Sequence, residues 1–388
     1  MRQSVEKKYE GLSPFELKDK LISIAKAHAD RAMLNAGRGN PNWVSVAPRQ
    51  AFCQLGLFAV EEAERVVDLP AIGGAPDRGG VAARFSHFLE RNDRAPGAEF
   101  LGRAFAFACK EMKMDPDAVM FELVDAMTGD HYPEPDRMLP CCEKIVRTYL
   151  RQEVFSGDPA ADGFDLFATE GGTAAMDYVF RSLIENKLLH KGDKIAMGTP
   201  IFTPYIEIPR LSDYRFVELE LEQNEEIGWQ YPDSEIDKLA DPAVKIFFLV
   251  NPANPASVAV STATLERIAK IVKTKRRDLI IVTDDVYGTF VNGFRSLAAA
   301  IPENTILVYS FSKYFGATGW RLGVIGIHEQ NSFDRRIATL PEKTREELHK
   351  RYSTVALNPA RMKLIDRMVA ESRSVALHHT AGLSTPQQ

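Results

Sequence analysis

The sequence predicts an α/β protein built on a mainly parallel β-sheet. Two apolar runs, at residues 245–250 and 278–282, have the length and composition of buried parallel strands. A third segment opens with glycines at 171 and 172 and continues with apolar residues at helical spacing, namely Met176, Val179, Phe180, Leu183, Ile184 and Leu188. Strands and helices that follow one another in this way favour a sheet flanked by helices.

A lysine with phosphate-binding groups on both sides gives the first functional indication. Ser310 stands three residues before Lys313, and Arg321 follows eight residues after it. This spacing places two phosphate-binding groups beside an amine that can form a Schiff base, which is what pyridoxal 5'-phosphate (PLP) needs. Ser-x-x-Lys alone is a weak signal, because serine acyl-transfer enzymes carry it and a solvated lysine after a strand is common.

Polar side chains follow both predicted strands. Asp284 and Tyr287 come after the run 278–282, at the carboxyl end where open α/β sheets bind ligands. An aspartate there can hold a pyridine nitrogen protonated, and an ordinary helix N-cap is the alternative. Asn254 follows the other run within two Asn-Pro pairs. Its amide is suited to donate to a phenolate oxygen, and a simple turn is the alternative.

These motifs, in this order, resemble the fold-type I PLP enzymes of the aspartate aminotransferase superfamily over residues 168–328. The resemblance implies a seven-stranded sheet, a smaller domain that is incomplete here, and an N-terminal helical insertion. It implies that Lys313 forms the Schiff base, that Asp284 pairs with the pyridine nitrogen, and that Asn254 and Tyr287 contact the ring oxygen O3′. The phosphate ligands that it implies are Gly172, Thr173, Ser310 and Arg321.

Two further positions follow from the same resemblance. Phe202, two residues after Pro200, matches the aromatic residue that stacks on the pyridine ring, and plain core packing is the alternative. Ser257 departs from the superfamily, which usually has glycine there, so the geometry of this turn is an open question.

The segments before and after this stretch indicate a narrower group within the superfamily. Residues 59–136 carry short apolar stripes typical of helices, and a second insertion after Ile327 is rich in charge. We expect an N-terminal segment (1–58), a helical insertion (59–136), a PLP-binding domain (137–328) and a charged helical insertion (329–388). Within the superfamily, this pattern is similar to the aspartate 4-decarboxylases, which also transaminate aspartate.

That similarity implies the substrate site and the reaction. Arg38, Lys18 and Gly39 are expected to contact substrate together with Asn254, although a structural ion pair is the alternative for both cations. Tyr132 is expected to reach the phosphate of a neighbouring subunit in a homodimer or larger homo-oligomer, and a core tyrosine is the alternative. The implied reaction converts L-aspartate to L-alanine and CO₂, with side transamination to 2-oxoglutarate.

Superfamily members carry the arginine for the substrate α-carboxylate in a long C-terminal segment. Neither Arg361 nor Arg367 has the expected context, so neither is assigned. We therefore expect a C-terminally truncated chain that binds PLP weakly and turns over little aspartate. Two alternatives remain, an aspartate or aromatic-type aminotransferase and a PLP-binding protein with little catalysis. Retention of Lys313 argues against a regulatory protein that senses PLP without catalysis.

Composition sets the remaining limits. The net charge is −5, so nothing indicates a nucleic-acid partner. The four cysteines show neither metal-ligand nor disulfide spacing, which predicts no metal and a reducing, cytoplasmic location. The sequence also has no apolar run of the length that a membrane span needs.

Overall fold

A mixed β-sheet of seven strands forms the centre of the larger of two units. The computed structural model describes residues 9, 11–27, 39–67, 69–129, 137–375 and 382–388. The chain divides into the units Met1–Trp43 and Val44–Gln388. The first unit contains helix α1 (Pro14–Ala27).

The sheet belongs to the second unit. Its strands are β1 (Phe164–Thr169), β2 (Lys194–Thr199), β3 (Val217–Glu222), β4 (Val244–Val250), β5 (Ile280–Asp284), β6 (Thr305–Ser310) and β7 (Gly323–His328). Their spatial order is β1-β7-β6-β5-β4-β2-β3. In the described part of the chain only β7 pairs antiparallel with its neighbours, so the other strands share one direction. The predicted mainly parallel, seven-stranded α/β fold is confirmed.

Helices cover the sheet and precede it. In the second unit, the described α-helices are α2 (Val46–Arg65), α3 (Val81–Arg91), α4 (Ala98–Ala106), α5 (Pro116–Thr128), α6 (Pro140–Glu153), α7 (Gly172–Glu185), α8 (Pro204–Leu211), α9 (Asp233–Asp237), α10 (Thr262–Thr274), α11 (Leu297–Ala300), α12 (Ser332–Ala338), α13 (Glu342–Tyr352) and α14 (Leu364–Val375).

The central strands are apolar on both faces because helices pack on each side. Along β4, Ile246 and Phe248 face one core cluster, which includes the buried stripe of α7. Phe247 and Leu249 face the other cluster, which includes the buried residues of α10. Successive side chains of a strand point to opposite faces, so a strand buried on both faces has a continuous apolar sequence.

The helices before the sheet have a core of their own. Phe58, Phe85 and Met120, from α2, α3 and α5, are buried in one cluster, and the rings of Phe58 and Phe85 lie 5.2 Å apart. Glu62 of α2 is buried and receives a hydrogen bond of 2.7 Å from Nη2 of Arg84. The described residues of 59–136 are thus largely helical. The boundaries of the expected insertion stay a prediction.

Arg367 lies in α14, where hydrogen bonds and a contact with an aromatic ring hold its side chain. Its side chain is 2% exposed, and its Nη1 and Nη2 donate to Asn186 Oδ1 and the Pro359 carbonyl, both at 3.0 Å. Its guanidinium carbon lies 4.8 Å from the centroid of the Tyr352 ring. These contacts agree with leaving Arg367 out of the substrate site.

No helix among the described residues is long and apolar enough to cross a lipid bilayer.

Candidate active site

The carboxyl ends of β4, β5 and β6 lie side by side at one edge of the sheet, because these strands are parallel neighbours. Asp284 is the last residue of β5, Ser310 is the last residue of β6, and Asn254 follows β4 after four residues. The sequence-predicted polar residues therefore come from adjacent strand ends, where ligands bind in open α/β sheets.

Asp284 is buried, with 7% of its surface exposed. The Val286 backbone N–H donates to its Oδ1 at 3.1 Å, and the Tyr205 hydroxyl donates to its Oδ2. Burial raises the pKa of this carboxyl, while the Tyr205 and Val286 hydrogen bonds and the positive charge of Lys313 oppose the increase. A ring N–H⁺ placed against Asp284 would stabilise its anionic form.

Lys313 is half-buried in the loop after β6. Burial lowers the pKa of its amine, the positive charge of Arg321 lowers it further, and Asp284 opposes the decrease. A lowered pKa leaves more of the amine neutral, which is the form that attacks a carbonyl carbon.

Gly171, Gly172, Gly323 and Arg321 form a crowded pocket wall near Lys313, the glycine cup. Gly171 has φ +88°, and a Cβ built on it would lie 2.4 Å from Nη2 of Arg321. A Cβ on Gly323 would lie 2.7 Å from the Gly171 backbone. Only glycine fits at these two positions, and helix α7 begins at Gly172 with its first N–H groups facing outward along the helix axis. The cup therefore combines a helix N-terminus with an arginine, a combination that binds phosphate.

Ser310 and Ser312 are both buried at the base of this loop. The Ser310 Oγ lies 2.9 Å from the Ser312 Oγ and 3.1 Å from the carbonyl oxygen of Leu322. Ser310 was predicted from the sequence as a phosphate ligand, whereas Ser312 was not. Thr173, which is also a predicted phosphate ligand, is exposed in the first turn of α7.

Asn254 and Tyr287 meet across the site. The Asn254 Nδ2 lies 3.5 Å from the Tyr287 hydroxyl, and both residues line a cavity of about 350 Å³ with Ser257 and Phe290. Ser257 has φ +60°, a left-handed conformation that favours glycine. The turn thus keeps the backbone that glycine would adopt, and serine costs roughly 1–2 kcal/mol in this conformation.

Phe202 stands close to these groups with part of its ring open. It is 37% exposed, and its ring makes an edge contact with Tyr205 at 5.9 Å. This exposure argues against plain core packing. The stacking role stays a prediction.

Tyr205 and Asp285 are buried polar residues that the sequence analysis missed. Tyr205 is 3% exposed and Asp285 is 0% exposed. The Thr283 hydroxyl donates to the Asp285 Oδ1 at 2.6 Å. Tyr205 follows Phe202 by three residues, but its contact with Asp284 joins positions 79 residues apart in the chain, so no local pattern indicates it.

Asp285 should make stability depend on pH. Burial raises its pKa from 3.8 to about 7, so between these values the folded protein holds a proton that the unfolded chain releases. The free energy of unfolding should therefore fall as pH rises through this window, with a slope of up to about 1.4 kcal/mol per pH unit from this group. Asp285→Asn should remove this contribution and be more stable than the original chain at pH 8.

Urea unfolding from pH 4 to 8 measures the effect. Asp93→Asn, at an exposed position, is the matched control. If the unfolding free energies of the original chain and Asp285→Asn stay parallel across the window, the raised pKa of Asp285 is wrong.

The sequence profile of the family described as aminotransferase class I and II matches residues 166–382. This stretch contains every side chain of the site described above. The chain belongs to the class I and II aminotransferases. This family depends on PLP and acts on small molecules, so the predicted superfamily is confirmed.

Individual aminotransferases extend the comparison. A bifunctional aspartate aminotransferase and L-aspartate beta-decarboxylase from Pseudomonas sp. is 51% identical over 379 residues, which cover 97% of this chain and 71% of that protein. An aspartate aminotransferase from Sulfurisphaera tokodaii is 26% identical over 43% of this chain and 41% of its own length.

Two solved structures share the fold. Bna3p from Saccharomyces cerevisiae has a TM-score of 0.51 at 17% identity and covers 96% of this chain and 69% of its own. Pyrococcus protein-A1 has a TM-score of 0.51 at 19% identity and covers 95% of this chain and 71% of its own. At these identities the likeness concerns the fold alone.

The aminotransferase cofactor fits the residues present. The N-terminus of α7 lies next to Arg321, Lys313 offers a half-buried amine, and Asp284 offers a buried carboxylate. These are the three groups that PLP requires for its phosphate, its aldehyde and its pyridine nitrogen.

Four predicted site residues precede β1 in the chain. Arg38 and Tyr132 lie outside the described residues. Lys18, in α1 of the smaller unit, has its Nζ 3.3 Å from the Asp19 Oδ1, and Gly39 of the same unit is exposed. The roles of all four in an aminotransferase site stay predictions.

Proposed function

We propose that the chain is a PLP-dependent enzyme that removes the β-carboxylate of L-aspartate as CO₂ and also transaminates aspartate slowly. In the main reaction the bond between Cβ and the carboxyl carbon breaks, and a proton takes the place of CO₂ to give L-alanine. The amino acceptor in the side reaction is 2-oxoglutarate.

The extent of the similarity to the Pseudomonas enzyme carries this proposal. The 51% identity runs over 97% of the chain, so it includes the helical layer α2–α5, which lies before the family match at residues 166–382. The sequence match to the Sulfurisphaera tokodaii aspartate aminotransferase covers 43% of the chain, far less than this. The likeness across both regions supports the more specific activity.

PLP, when bound, supplies a conjugated ring that accepts electrons from the substrate's Cα. The N–H groups of Gly172 and Thr173, together with Ser310 and Arg321, hold the phosphate in this proposal. Asp284 would keep a proton at the pyridine nitrogen, because its buried carboxylate, when anionic, attracts a positively charged ring N–H⁺ strongly.

The other ring contacts are local to the site. Asn254 and Tyr287 would donate to O3′ of PLP, and Phe202 would stack on its ring. Lys313 would have two roles: its amine would hold the aldehyde of PLP, and it would move a proton at the substrate's Cα.

The contact to the distal carboxylate decides between the two reactions. A bidentate arginine anchors a carboxylate strongly, whereas a looser cation lets it leave as neutral CO₂. We assign this contact to Arg38, with Lys18, Gly39 and Asn254 as further substrate contacts. Tyr132 completes the phosphate site of a neighbouring subunit in a homodimer or larger homo-oligomer. We place the enzyme in the cytoplasm.

Product analysis tests this function. With PLP and L-aspartate, alanine and CO₂ should form in equal amounts and exceed oxaloacetate, even after 2-oxoglutarate is added. The product ratio does not depend on the absolute rate, so slow turnover does not obscure it. Oxaloacetate as the main product would instead support an aspartate aminotransferase, as the name of the Sulfurisphaera tokodaii relative suggests.

A further inference from the structure

A clamp joins helix α2 to the loop that carries Lys313 and Arg321. Arg49 of α2 donates from Nη2 to the Gly316 carbonyl at 2.7 Å and from Nη1 to the Ser45 carbonyl at 2.5 Å. Its guanidinium carbon also lies 5.6 Å from the centroid of the Trp320 ring. Hydrogen bonds from a charged donor contribute more than neutral ones, and arginine also binds the faces of aromatic rings.

Two neighbouring contacts strengthen the clamp. The Ser45 N–H donates to the Phe315 carbonyl at 3.3 Å. The rings of Phe52 and Trp320 meet edge to face at 5.0 Å and 79°. Residues 45, 49 and 52 follow the i, i+4, i+7 pattern, so they lie on one face of the start of α2. This face contacts the loop along its length.

The loop contains one short 3₁₀ turn, Thr318–Trp320, and a few internal hydrogen bonds. Within it, the Gly316 N–H donates to the Lys313 carbonyl and the Trp320 N–H donates to the Ala317 carbonyl, both at 3.1 Å. Arg321 has φ +57°, a conformation that costs energy for any residue but glycine and persists only where the surroundings hold it. Contacts from outside the loop therefore add to the bonds that hold this conformation.

Arg49 contacts the loop at two informative points. Gly316 is the third residue after Lys313, and Trp320 directly precedes Arg321. One guanidinium thus touches both arms of the loop, between the amine and the arginine of the site. Arg49 lies outside the family match at residues 166–382, so the aminotransferase pattern does not include it.

We propose that Arg49 is a positioning residue, which holds the amine of Lys313 and the guanidinium of Arg321 in the mutual arrangement that binds one ligand. The inference rests on the proposed function, because it takes PLP to be that ligand. Arg49 acts through the loop and touches no reacting atom.

Hydrogen exchange without added PLP tests the clamp itself. In Arg49→Ala, exchange of the amides in 313–321 should accelerate by about tenfold or more, while amides of α10 keep their rates. Arg103→Ala is the matched control, because this exposed arginine makes a surface ion pair with Glu99 at 3.9 Å. Unchanged exchange of 313–321 in Arg49→Ala would overturn the clamp.

PLP titration then tests the positioning role. Arg49→Ala should bind PLP about tenfold or more weakly, Arg49→Lys should fall between the two, and Arg103→Ala should match the original chain. Unchanged PLP affinity beside accelerated loop exchange would make Arg49 merely structural. If Arg49→Ala does not fold, Arg49→Lys supplies both measurements.

Failure of the two proposals can be told apart. If the original chain fails to bind PLP, the proposed function is wrong, and the exchange experiment still decides whether the clamp exists.

Discussion

Lys313→Ala should bind PLP without a covalent bond and lose aspartate turnover by about 10²–10⁴-fold, which is the contribution typical of a group that transfers a proton. The amine is well suited to this role, because burial and the charge of Arg321 lower its pKa. The visible absorbance of the lysine-bound cofactor and the rate of alanine formation measure the two effects.

Lys270→Ala is the matched control for this variant. Lys270 is an exposed lysine on α10. Its removal should leave both the absorbance and the rate unchanged. Normal alanine formation by Lys313→Ala would show that another group moves the proton at Cα.

Asp284→Asn should still bind PLP but turn over aspartate about ten- to a hundredfold more slowly than the original chain. The amide keeps an oxygen that can accept from the Tyr205 hydroxyl or the Val286 N–H, so the local structure should persist. It carries no charge and cannot hold the proton at the pyridine nitrogen. Loss of one charge-assisted hydrogen bond is worth about 1.5–3 kcal/mol.

Asp285→Asn is a stringent control, since it makes the same change at the next buried residue. Its rate should fall far less, because Asp285 contacts Thr283 and has no assigned role at the cofactor. Equal losses in the two variants would move the partner of the pyridine nitrogen away from Asp284.

The sequence predicted the centre of the fold well because the central strands are buried on both faces. The apolar runs 245–250 and 278–282 correspond to β4 and β5, whose bounds are Val244–Val250 and Ile280–Asp284. Polar residues that follow parallel strands must meet at one sheet edge, so Asp284 and Asn254 were found from local patterns. The resemblance supplied what spacing alone left open, including the number of strands.

Contacts between distant parts of the chain could not be predicted in this way. The Tyr205 contact with Asp284 and the Arg49 contact with Gly316 join residues 79 and 267 positions apart. No feature of the local sequence marks Tyr205 or Arg49, because only the folded chain brings each to its partner. The left-handed conformation of Ser257 was left open, because the chain has serine where the superfamily usually has glycine.

Borohydride reduction of the PLP-treated chain, followed by peptide mass spectrometry, tests the central claim most directly. Reduction fixes the cofactor to the amine that holds it, whatever the rate of turnover. The site predicts a single pyridoxyl group on Lys313. A pyridoxyl group on another lysine, or none on Lys313, would contradict the assignment of this site.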